Sequence, residues 1–109
     1  MAGVRNPMMT VNAMYETVAA SQTAQVMGTA GATGDFISGI LIIPAVAAAG
    51  VVTLLDGATS IPIYVGGAVT ALSNLMPVYV PLNLFSVSGP WKITTGASVS
   101  CIVSGSFSV

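Results

Sequence analysis

Charge is almost absent from this sequence. Of 109 residues only Arg5, Glu16, Asp35, Asp56 and Lys92 carry one, 5% in all, and there is no histidine and a single cysteine, Cys101. An average soluble domain is about a quarter charged. Two basic side chains cannot build the clustered cationic face that nucleic acid requires, so no nucleic-acid partner is expected. One cysteine without histidine makes neither a zinc site nor a disulfide framework, and no metal or other cofactor is expected. Disorder is excluded as well, because disordered chains are poor in apolar residues and 54% of this one is hydrophobic. Two classes remain: a membrane protein, or a protein whose surface is largely covered by neighbours.

The length suits one domain, residues 1–109, able to bury roughly 60–70% of the surface its unfolded chain exposes. The core is therefore not the difficulty; the surface is. With a net charge of −1 the isolated chain has little electrostatic protection against association, and an obligate assembly is its natural setting. Cys101, between Ser100 and Ile102, reads as a buried strand thiol acting as a small hydrophobe.

Residues 36–55 (FISGILIIPAVAAAGVVTLL) have the length and character of a membrane span. A single-span membrane protein is accordingly one alternative reading. Pro44 at the centre, Gly39 and Gly50 around it, and flanks of Asp35 and Asp56 without Lys or Arg argue against it. The run divides better into two buried strands, 36–44 and 51–55, joined by small residues. Residues 1–14 contain one Arg but no continuous apolar stretch, so no secretory signal is read and cytoplasmic synthesis is expected.

The remaining chain has the period of a sheet. From Ser98 to Val109 the odd positions are Val, Cys, Val, Gly, Phe and Val, and the even ones are serine except Ile102. That is a half-buried strand, or a strand with a bulge near Gly105. Serine fills the outer face where most proteins place Lys or Glu. Residues 91–95 form a short strand between Ser88-Gly89-Pro90 and Thr95-Gly96-Ala97, and 61–65 another, with Asp56-Gly57 as the hairpin connection before it. In 76–87, Val78, Val80, Leu82 and Leu84 share one face and Tyr79, Pro81, Asn83 and Phe85 the other. Pro77 and Pro81 mark it as an edge. Residues 10–18 and 23–28 are weaker strands, and 1–9 reads as an extended arm. Seven or eight short strands with regular turn signals predict an all-β fold: an antiparallel sandwich, jelly-roll-like, with an N-terminal arm.

Catalytic chemistry finds few candidates. Asp35 follows a glycine-rich loop and Asp56 precedes a glycine, so both read as turn residues capping backbone donors. The many Ser and Thr residues and Cys101 have no histidine base, and the loop 28–34 (GTAGATG) lacks the helix and basic residue of a phosphate cradle. No enzyme is expected. The aromatic residues and the arm's methionines read as core or as interface anchors. The candidate interface residues are Met8, Met9, Met14, Tyr79, Phe85 and Trp91.

GDFISGILIIP (34–44), G-VVTLLDG (50–57) and VPLNLFSVSGPWKITTGASVSCIVSGSF (80–107) together resemble small all-β proteins from the structural gene clusters of tailed bacteriophages. The likeness spans residues 34–107 and rests on fold-forming turns. It departs in the nearly uncharged central strands and the methionine-rich arm. What it implies is a virion component on the capsid surface: a decoration or cement protein that binds the assembled head and bridges its subunits. Its partners would be the major capsid protein and copies of itself, as a trimer around a local symmetry axis. A head- or tail-associated adaptor, a fibre-base module or a glycan-binding module is the alternative role.

Overall fold

A computed structural model of the chain describes residues 14–46, 49–65 and 76–109. The expected arm, 1–9, with Met8 and Met9, lies outside the described residues. Eight strands follow in order: β1 (Met14–Val18), β2 (Gln25–Val26), β3 (Phe36–Pro44), β4 (Val52–Asp56), β5 (Thr59–Tyr64), β6 (Val78–Phe85), β7 (Trp91–Thr95) and β8 (Val99–Ser106). They form two four-stranded sheets, β1-β8-β3-β6 and β2-β7-β4-β5, with every pairing antiparallel. The described residues contain no helix, so none is long and apolar enough to cross a membrane. The apolar run 36–55 is divided between β3 and β4, which belong to different sheets.

The sheets face each other across one core, in a sandwich-like arrangement. One sheet contributes Val18, Ile37, Ile40, Ile42, Val99, Cys101 and Val103, and the other Val52, Leu54, Trp91 and Ile93. Alternation decides which residues go in. β8 reads buried and half-buried in strict turn from Val99 to Ser106, and β7 does the same from Trp91 to Thr95. The β4–β5 connection is the two-residue turn Gly57-Ala58, since Asp56 pairs with Thr59. Gly57 has φ +61°, the positive value that a tight hairpin of this length needs at its first central position.

Of the two readings of the C-terminal strand, the regular half-buried one holds over 99–106, and the bulge is on the facing strand. β8 keeps its alternation, while β3 shifts register between Ile37 and Gly39 opposite Gly105 and Ser104. The extra residue is Ser38. Its hydroxyl is 3.3 Å from both the carbonyl and the Oγ of Ser104, which gives it polar partners where the ladder is interrupted.

Candidate interaction surface

Each acidic side chain is occupied by backbone or side-chain donors. Asp56, 9% exposed, accepts from the N–H groups of Val87 (3.0 Å), Ser88 (3.1 Å) and Gly89 (3.3 Å), tying the β4–β5 turn to the β6–β7 loop. Asp35 accepts from Ala32 N–H (3.0 Å), Ser108 N–H (2.9 Å) and the Ser108 hydroxyl (2.7 Å). Glu16 accepts from Gly28 N–H at 2.7 Å and from the Gln25 side chain at 3.0 Å. Asp35 and Asp56 thus cap loops, as their turn positions predict. Two buried hydroxyls work in the same way. Ser86 accepts from Gly34 N–H (2.7 Å) and donates to Ala32 O (3.2 Å). Thr95 donates to Ala19 O (2.7 Å) and accepts from Gln22 N–H (2.9 Å).

Cys101 is in the core at 1% exposure, and burial pushes its thiol up to about 11. The thiol is therefore neutral near pH 7 and a poor nucleophile. Among the described residues no group of three or more His, Cys, Asp or Glu gathers, and no pocket opens.

What the structure does display is a surface. On β3, Ile40 and Ile42 are fully buried while Leu41 and Ile43 alternate onto the outer face. Across the sheet, Leu41 stands opposite Ile102 on β8 and Tyr79 on β6, and Thr17 of β1 stands opposite Ile102. Phe36 stands opposite Phe85, with ring centroids 5.0 Å apart and tilted by 52°. No residue in these rows is charged. Tyr79 lies across Gly39 so closely that a Cβ there would overlap its ring and hydroxyl, so a larger residue at this position would have to push the tyrosine side chain aside.

The opposite sheet presents a different outer face. There Lys92 and Leu55 stand opposite each other, as do Thr94 and Thr53, with Ser60 and Pro62 on β5. It is a threonine-rich, solvent-type surface with a cation in it.

Of the sequence-predicted anchors, Tyr79 and Phe85 are on the apolar outer face, 53% and 66% exposed. Met14 is half-buried at the start of β1, opposite Gly105. Trp91 requires a correction: it is 2% exposed, packed in the core, with its indole N–H donating to Asp35 O at 2.8 Å. A side chain so enclosed offers a partner no contact area. Sequence reasoning missed Leu41, Ile43 and Ile102. Their signal was present: the nine residues of β3 are apolar on both faces, and Ile102 is the exception in the serine row.

Compared with known protein families, curated proteins and solved structures, the chain has no significant match.

Proposed function

We propose that this chain is a non-enzymatic virion structural protein, a decoration or cement protein of a bacteriophage head. The strand order carries the reading. β1-β8-β3-β6 facing β2-β7-β4-β5 supports a jelly-roll reading, in which four successive antiparallel strand pairs roll up together, an architecture used by viral capsid and lectin domains. The sequence resemblance to phage structural proteins points to the first of these uses. The sparse charge suits a protein that works surrounded by other protein, and all three carboxylates are engaged by donors in loops.

The mechanism is thermodynamic. A protein that binds only the assembled shell stabilises that state by mass action, in proportion to how far its concentration exceeds its dissociation constant. The partners are the major capsid protein and further copies of the chain, held at the capsid surface. Mass spectrometry of purified particles, with copy number measured against the major capsid protein, tests it. A high, fixed copy number is expected. Absence from particles rejects the reading, and a few copies per particle assign the chain to a tail or vertex adaptor instead.

A further inference from the structure

In a sheet with one face in water, each strand pairs an apolar inner side with a polar outer one. β3 does not: apart from Ser38 at the bulge, FISGILIIP is apolar on both sides, as in strands covered on both sides. The second sheet covers its inner side. Its outer side is only partly covered: Leu41 and Ile43 are half-buried, as is the flanking Ile102, and Tyr79 beside them is 53% exposed.

Strand addition at the sheet margins is not the way this chain is built to associate. β2 is only two residues long, and β5 carries Pro62. β6 carries Pro81 and, at φ +55°, the left-handed Asn83. On β1 the carbonyl of Thr17 already accepts from the Gln25 side chain at 3.2 Å. Four blunted edges leave the face as the route to association.

We propose that the outer face of the β1-β8-β3-β6 sheet seats the same face of a second copy of this chain, in a two-fold pair. The charge pattern argues for this occupant. A partner recognised by charge would find nothing to meet here, whereas a second copy brings a surface equally free of charge and equally mixed in serine and aliphatic groups. Symmetry argues for it too. A three-fold ring joins two different patches, but a single self-complementary patch pairs with itself about a two-fold axis. The area is adequate. Four strands about 4.8 Å apart, of five, eight, nine and eight residues, give roughly 500 Å² in projection, and side-chain relief raises this towards the ~800 Å² per partner of a stable complex. The pairing does not depend on the virion reading, since it needs only the chain itself.

Sedimentation equilibrium of the full chain should give twice the 10.9 kDa chain mass at micromolar concentration. Ile102→Lys, which buries a charge in the pair, should shift the mass to that of the monomer while the β-type circular dichroism persists. Tyr79→Lys, at a site 53% exposed where folding is little affected, should weaken pairing by about tenfold or more. Thr53→Lys on the opposite sheet should leave the pair intact. A monomeric wild-type chain overturns the proposal, as does an assembly that Tyr79→Lys leaves unchanged. A monomer that floats with uncharged phosphatidylcholine vesicles overturns it in favour of lipid.

Discussion

Asp35 holds the end of the chain. Its carboxylate accepts both the backbone N–H and the hydroxyl of Ser108, 73 residues away, while its own carbonyl accepts the indole N–H of Trp91. One residue before β3 therefore fixes the chain end to the β2–β3 loop and orients the largest side chain of the core. Replacing it with alanine leaves Ser108 N–H and Ala32 N–H without their acceptor. Asp35→Ala should cost about 1–3 kcal/mol, read as a lower urea midpoint with unchanged slope. Ser108→Ala, which removes only the hydroxyl bond, should cost less, about 0.5–1.5 kcal/mol. Equal midpoints for wild type and Asp35→Ala would show that the contact carries no stability.

Asp56 gathers three consecutive N–H groups in a nearly buried setting, so its charge and not only its shape is in use. Asp56→Asn keeps the size but turns an amide donor towards other donors. A loss of about 2–3 kcal/mol is expected, with the β6–β7 loop becoming the first segment to exchange its amide hydrogens. Hydrogen exchange at Val87, Ser88 and Gly89 measures this directly.

Trp91 is the only tryptophan, which makes it a clean reporter. Its emission should be blue-shifted and poorly quenched by acrylamide in the folded chain, and red-shifted on unfolding. Trp91→Phe should destabilise by about 1–3 kcal/mol, because it leaves the Asp35 carbonyl unpaired and opens space in the core. Emission typical of a solvent-exposed indole in the native protein would contradict its placement.

The raised Cys101 thiol gives an alkaline signature. Burial disfavours the thiolate in the folded state, so stability carries no cost from this group below the ordinary value of 9.0 and falls as pH rises from there to about 11. Cys101→Ala should lower stability at neutral pH through the lost packing, yet flatten this alkaline decline. Thiol reagents at pH 8 should label the wild-type chain only on unfolding. Rapid labelling of the native protein would contradict the burial.

Much of the strand placement was legible because turn chemistry and alternation are local. Trp91–Thr95 is bounded in the structure as its flanking turns predict, and the inner and outer residues of β8 follow from its serine spacing. The division of residues 36–55 was legible from Pro44 and the glycines. Strand order was not, because it depends on pairings such as Val18 with Cys101 that no local pattern encodes. Trp91 escaped for a related reason. Whether a lone indole is core or anchor depends on an acceptor 56 residues away, the Asp35 carbonyl. The outer apolar face was half legible: the two-sided character of β3 was in the sequence, but Ile102 and Tyr79 become its neighbours only through the sheet.

The place of β8 also governs when this protein can fold. The last strand in chain order lies between β1 and β3, so neither of these can complete its ladder until residues 99–106 have left the ribosome. Until then β1 and β3 present open edges and an uncovered apolar strand to their surroundings, the condition in which β-rich chains aggregate. A nascent chain of this kind gains most from folding fast once β8 has emerged, and a ribosome stalled before β8 would hold an aggregation-prone product.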